Sequence, residues 1–473
     1  DADVGLAQKW YEKALEAFLV REESVKKKEK PYLQYRIGKM YASGLGAEQN
    51  YEKAAHWFSQ AAAMDHKYAQ YSLAGLYRRG RGVEQNDIRA FSLYMSSAEQ
   101  GNPYASLELA KMYRDGFGTE PDLQQAEWRF QNAYSGFVVL EEKSHDDKLQ
   151  YRIGQMLHTG TGTSKDDEGA ARYWEKSAKL GNINAQYALG TLWLETGSGD
   201  SGQAVEWLTK AANAEHSAAQ YVLGKLYQDG VYFNKDMDQA MKWFRSAAEL
   251  GNEYAAYRMG CLLLLGEEIP KDVEAAVKWL SLSAEKGNPY AQYRLGMLYL
   301  KGEVFSPQVE VAMKWLQQAA EQKNEWAFYQ LGKLYLSGEH VTKNVETAVH
   351  YLGLCAEKGN QYAQYVLGKL YLCGRDVSRD REKAVEYLTA SAEQGNLYAS
   401  FLLEHLDAYQ DPSLFLAATR LLHHLEKLFC EEVQRPMEMK RYQIDRKRRR
   451  KLLEKKQAQG HHREDQEPAQ GIY

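Results

Sequence analysis

Cysteine, proline and long apolar runs are all scarce in this chain, and each scarcity removes a class of protein. The four cysteines, Cys261, Cys355, Cys373 and Cys430, stand singly, with no CxxC pair and no regular spacing. That argues against a disulfide framework and a structural zinc site, and makes a reducing cytoplasm the expected compartment. Nine prolines and 37 glycines set against 34 tyrosines describe an ordered chain rather than a low-complexity one. The longest aliphatic run, Leu262–Leu265, is four residues, whereas a spanning helix needs about 18. A soluble protein without a membrane contact is expected.

Motifs that carry chemistry are missing as well. The 12 histidines are scattered, and only His423-His424 and His461-His462 are adjacent, with no HxxxH spacing. No GxxxxGK phosphate loop and no GxSxG elbow occurs. No catalytic residue, metal ligand or cofactor site is therefore assigned, and the chain is read as a non-enzyme.

What the sequence has in quantity is repetition. One motif returns eleven times, best displayed in YAQYRLGMLYLKG at 290–302. Anchored on its central small residue, the copies fall at Gly38, Ala74, Ala110, Gly154, Gly190, Gly224, Gly260, Gly296, Gly332, Gly368 and, degenerately, Glu404. The spacing is 36 residues, except for one step of 44 and one of 34. Ala, Tyr, Leu, Gly, Leu and Tyr at offsets −5, −3, −1, 0, +2 and +3 follow the helical period. This predicts a helix A, closed by the Gly six residues past the anchor because Gly enters the left-handed region without steric cost. A second helix B has the form A-x-x-W-[LF]-x-x-[AS]-A, as in Ala276–Ala284. It closes at a recurrent Gly-Asn, whose Asn suits the N-cap of the next helix A. Pro31, Pro103 and Pro289 fall near the same helix start. Small residues at the anchor and at −5 allow close helix approach, with the aromatics of helix B filling the remaining space.

This unit resembles the Sel1-like repeat, a relative of the tetratricopeptide repeat. The resemblance covers about residues 1–407 and implies an all-α, right-handed solenoid of about eleven helix pairs, an architecture that serves adaptors and scaffolds. Residues 1–30 are read as the second half of a repeat plus a long linker, 31–134 as a first block of repeats and 135–148 as a lengthened linker. Residues 149–407 form a second block, 408–435 a C-terminal capping helix and 436–473 a basic tail. Because Leu6–Ala14 reads as a half-repeat, the chain is expected to continue a longer polypeptide.

Two features point to partners. Offsets −6, −2, +1 and +5 share one face of helix A. At −6 eight copies are aromatic, namely Tyr32, Tyr68, Tyr104, Tyr254, Tyr290, Trp326, Tyr362 and Tyr398. Offset −2 carries Arg36, Arg152, Arg258 and Arg294, and offset +1 carries Lys39, Lys111, Lys225, Lys333 and Lys369, with Glu108 the sole acid at these two offsets. Such a stripe suits an acidic protein or peptide lying in the groove. The alternative is that the bases are merely solvated and that the aromatics at −6 pack against the preceding helix B.

The second feature is charge asymmetry. The net charge is −4, yet residues 440–456 hold ten Lys or Arg against Asp445 and Glu454, which leaves −12 on the remainder. Arg446, Lys447, Arg448, Arg449, Arg450 and Lys451 are consecutive bases, a pattern suited to the phosphates of DNA or to a solvated end. The stretches KLFCEEVQRPM (427–437) and DRKRRRKLLEKKQAQGH (445–461) resemble the C-terminus of MobA/MobL-type relaxases of mobile elements. That resemblance implies an accessory region of a DNA-nicking protein. Relaxases nick with a histidine cluster and a tyrosine nucleophile; no HxH occurs here, and no catalytic residue transfers.

Overall fold

The computed structural model describes residues 2–197, 201–302 and 307–406, and only the backbone of residues 2–4. Every regular element among the described residues is a helix. The chain divides into two compact units, residues 1–219 and 220–473. The first contains α1 (Ala2–Ser24), α2 (Lys30–Ser43), α3 (Tyr51–Ala63), α4 (Lys67–Arg79), α5 (Asp87–Glu99), α6 (Pro103–Asp115), α7 (Leu123–Ser144), α8 (Asp147–Thr159), α9 (Asp167–Lys179), α10 (Ile183–Thr196) and α11 (Ser201–Asn213). The division falls within α12 (Ser217–Asp229). The second unit continues with α13 (Met237–Glu249), α14 (Glu253–Leu265), α15 (Val273–Glu285), α16 (Pro289–Lys301), α17 (Val309–Glu321), α18 (Glu325–Ser337), α19 (Val345–Glu357), α20 (Gln361–Cys373), α21 (Arg381–Glu393) and α22 (Leu397–Glu404).

Even-numbered helices are the A helices and odd-numbered ones the B helices. Within each unit an A helix packs along the B helix that follows it and, less extensively, along the one before it. The all-α helix-pair solenoid expected from the motif is thus what each unit shows.

The expected punctuation is in place. Asn182 Oδ1 accepts from the Ala185 amide at 3.0 Å, and Asn324 does the same for Ala327 at 3.0 Å. Gly80 and Gly338 leave the A helices at φ 62° and 69°. The anchor must be small for a measurable reason. A Cβ placed on Gly154 would lie 2.4 Å from Trp174 Cδ1, and one on Gly296 would lie 2.7 Å from Leu316 Cγ.

Polar contacts between repeats were not evident in the motif. Ser97 Oγ donates to the Lys67 carbonyl at 2.7 Å and Ser177 Oγ to that of Asp147 at 2.6 Å. In the second unit Ser283 reaches Glu253 O at 2.7 Å, Cys355 Sγ reaches Glu325 O at 3.3 Å, and Ser391 reaches Gln361 O at 2.7 Å. Buried glutamines at offset −4 add a second set: Gln100, Gln322 and Gln394 donate to Gln70, Gln292 and Gln364 at 2.9, 2.9 and 2.8 Å. Each bond satisfies a group that burial would otherwise leave unpaired.

The residues beyond the regular repeat at 18–24 and 135–144 are helix rather than loop, lengthening α1 and α7. Apolar burial explains the second case, because Phe137 on this extension is fully buried. Both extensions also supply an acid to the next A helix. Gln34 Nε2 donates to Glu22 at 2.7 Å and Gln150 Nε2 to Glu141 at 2.8 Å, which gives the two QYRIG segments a shared role. The expected capping helix (408–435) and tail (436–473) lie outside the described residues. No helix among those described is long and apolar enough to cross a membrane.

Candidate protein-binding face

The tyrosine at offset −3 organises the A-helix face. Its ring is half-buried and meets the aromatic at −6 of the next repeat. Centroids lie 6.1 Å apart for Tyr35 and Tyr68, and 6.2 Å for Tyr71 and Tyr104. In the second unit the separations are 6.4 Å for Tyr221 and Tyr254, 6.1 Å for Tyr257 and Tyr290, 6.3 Å for Tyr329 and Tyr362, and 6.1 Å for Tyr365 and Tyr398. The −6 rings therefore meet the preceding helix A, a contact between tyrosines of successive repeats. They keep one side in water: Tyr68, Tyr254 and Tyr290 are 39%, 51% and 51% exposed.

The predicted bases fall into five different situations. Lys39, Lys225 and Lys333 lie over the −3 tyrosine of their own helix, 5.9, 5.9 and 5.6 Å from the centroids of Tyr35, Tyr221 and Tyr329. Arg36 lies 5.8 Å from the Phe18 ring and within 3.4 Å of the Tyr32 hydroxyl, while Arg152 lies 5.7 Å from both Tyr104 and Phe137. Arg258 and Arg294 hydrogen-bond back to Tyr221 and Tyr257 of the preceding repeat. Burial pushes both phenols above their usual range, and the nearby arginines oppose that rise. Lys111 differs, since Glu108 neutralises it at 2.7 Å. Lys369 sits half-exposed on α20, beside Cys373.

The two units therefore differ. On the first, the Glu108–Lys111 pair interrupts the basic stripe. On the second, Asp229 of α12 is an acid at these offsets, but offsets −6, −2, +1 and +5 of α14, α16, α18 and α20 contain none. They carry Arg258, Arg294, Lys301, Lys333 and Lys369 with Tyr254, Tyr290, Trp326 and Tyr362. Such a surface can offer charge to carboxylates and flat apolar area to side chains between them. In the sequence the −3 tyrosines that hold the arginines stand only as part of the helix-A period. Their recurrence one residue before each −2 arginine was the available signal.

Two A helices have an unusual cap. His66 and His216 replace the asparagine, and their Nδ1 atoms accept from the amides of Ala69 at 3.2 Å and Ala219 at 3.1 Å. Each ring lies on a −3 tyrosine, 4.8 Å from Tyr35 and 4.6 Å from Tyr187. Burial lowers both histidine pKa values. Among the described residues no group of three His, Cys, Asp or Glu side chains is arranged to hold a metal ion. The basic run 446–451 and the relaxase-like stretch lie outside the described residues.

A family model described as Sel1 repeat matches residues 1–17, 31–66, 67–102, 103–128, 148–182, 183–216, 217–252, 253–288, 289–324, 327–360 and 361–396. Among curated proteins, chitin synthase regulatory factor 1 of Schizosaccharomyces pombe is 31% identical over 106 residues, which are 21% of this chain. The chain spans 23% of that relative's length. Among solved structures, c5321, described as a protective antigen of uropathogenic Escherichia coli strains with an SLR fold, aligns at TM-score 0.51 and 27% identity. That alignment covers 83% of each chain. A Sel1 repeat protein from Oxalobacter formigenes aligns at TM-score 0.46 and 29% identity, covering 67% of this chain and 89% of its own.

Proposed function

The chain belongs to the Sel1 repeat family, and on that premise we propose that it is a non-catalytic scaffold whose A-helix face docks an acidic protein or peptide. The carrying observation is the acid-free face of α14–α20, where cations lie beside half-exposed aromatic rings. Opposite charge steers the encounter and fixes the register of an acidic segment, while the rings supply area that remains effective at physiological salt. Arg258 and Arg294 are already held by tyrosine hydroxyls, so little side-chain freedom is lost when a carboxylate arrives. Charge reversal at Lys333 and Lys369, with binding of an acidic peptide as readout, tests this reading.

The basic arm at Arg446–Lys451 is assigned a separate role, sequence-independent contact with the phosphates of nucleic acid. Its support is the run of six bases in a chain whose remainder is acidic.

A further inference from the structure

The B helices of the second unit end alike, in Glu249, Glu285, Glu321, Glu357 and Glu393, all exposed and 36 residues apart. An acid in the last turn meets the negative end of the helix dipole, so helix stability does not explain the choice. Nor does pairing, since no ion pair engages any of the five among the described residues.

Successive glutamates flank open cavities at the same register of successive repeats. One, of 430 Å³, lies between Glu285 and Glu321 and is lined by Trp315, Gln292, Gln318 and Gln322. The next, of 660 Å³, lies between Glu321 and Glu357 and is lined by Lys323, Phe328, Tyr351, Leu354 and Lys358. The ammonium of Lys358 is turned to the backbone carbonyl of Lys323. Glutamate and ring are close enough that Glu321 and Glu357 reinforce burial in raising the phenol pKa values of Tyr351 and Tyr387. The result is a ridge of alternating carboxylates and partly exposed rings, which is the complement of a strand of lysines and arginines.

We propose that the basic arm of this same chain, residues 440–456, docks along that ridge. Charge selects the face, because the A-helix side of α14–α20 is basic and repels the arm. Length permits it. The 33 residues between Leu406 and Lys440 reach about 50 Å even at the helical rise of 1.5 Å per residue. The 17 residues of the arm extend about 56 Å. Five glutamates on successive helix pairs span roughly 40 Å if packed helices lie about 10 Å apart. Docking does not depend on the A-helix face binding an acidic partner, and it makes the ridge and nucleic acid competitors for one arm.

The test uses the full chain and the rate of tryptic cleavage within 446–451 at low salt. The wild type is cut slowly, and Glu285→Gln, Glu321→Gln, Glu357→Gln and Glu393→Gln together raise the rate about tenfold, as expected when a steering charge field is removed. Raising salt to about 0.5 M, where screening is short-ranged, has the same effect on the wild type and little on the variant. Carbodiimide cross-linking of mixed light and isotope-labelled chains places Lys447 or Lys451 on the ridge glutamates of the same chain. Equal cleavage of wild type and variant overturns the proposal, as do cross-links found only between chains. Should the fourfold variant lose helical dichroism, the wild-type salt response and cross-links decide, and the absence of either overturns it.

Discussion

Cys355 donates its thiol to the backbone carbonyl of Glu325 at 3.3 Å, in the position where Ser97, Ser177, Ser283 and Ser391 place a hydroxyl in their own repeats. Cysteine here takes the place of the locking serine. Burial, assisted by Glu325, pushes its thiol up to about 12.

It follows that Cys355 resists thiol reagents at pH 8 in the native chain and reacts only on unfolding, as followed by mass spectrometry of the labelled peptides. Cys355→Ser preserves stability, because it restores the commoner donor. Ser283→Ala costs about 1 kcal/mol in urea denaturation, the usual worth of a neutral hydrogen bond.

The anchor glycine supplies a second prediction. Gly296→Leu forces a side chain into Leu316 and destabilises by about 1–3 kcal/mol or more, the range for overpacking. Gly353 sits inside α19, where a Cβ would meet nothing within 4 Å. Gly353→Ala therefore stabilises by about 0.5–1 kcal/mol through helix propensity.

Much of this fold could be read from the chain because each repeat restates the same steric rule. A residue such as Gly296 must be small to admit Leu316, and a 36-residue period makes the rule visible many times over. What escaped were contacts between repeats that use side chains with more than one ordinary role. Gln292 and Gln322 look like solvated residues on separate helices until packing sets them 2.9 Å apart. The same holds for the candidate face. Lys111 and Lys333 occupy the same offset, yet only Lys111 has an acid one turn away, Glu108, so equal positions carry unequal charge.

The histidine caps make stability of the first unit depend on pH. His66 and His216 are held below their ordinary pKa in the folded chain, so the unfolded chain binds more protons as pH falls through the ordinary histidine range. Stability is full above that range and declines below it, as each protonated ring ceases to accept from its helix N-terminus and places a cation there. The melting temperature should drop between neutral pH and mildly acidic pH. His66→Asn with His216→Asn should reduce that drop while leaving stability at neutral pH nearly unchanged.

The arm predicts a salt response. With roughly six phosphate contacts, affinity for a DNA duplex of arbitrary sequence falls on the order of a thousandfold between about 50 and 200 mM salt. Replacing Arg446, Arg448, Arg449 and Arg450 by Gln removes most of that binding without altering helical dichroism. Binding that is salt-independent, or unaffected by the four replacements, excludes the arm as a phosphate contact.

The A-helix face is tested most directly by fluorescence anisotropy of a short labelled peptide alternating glutamate and phenylalanine, titrated with the full chain. Saturable binding is expected. Lys333→Glu with Lys369→Glu should weaken it at least about tenfold, equivalent to 1.4 kcal/mol. Lys278→Glu with Lys314→Glu, on exposed positions of α15 and α17, makes the same charge change away from that face and should leave affinity within about twofold. Equal loss in both pairs, or no saturable binding by the wild type, contradicts a docking role for this face.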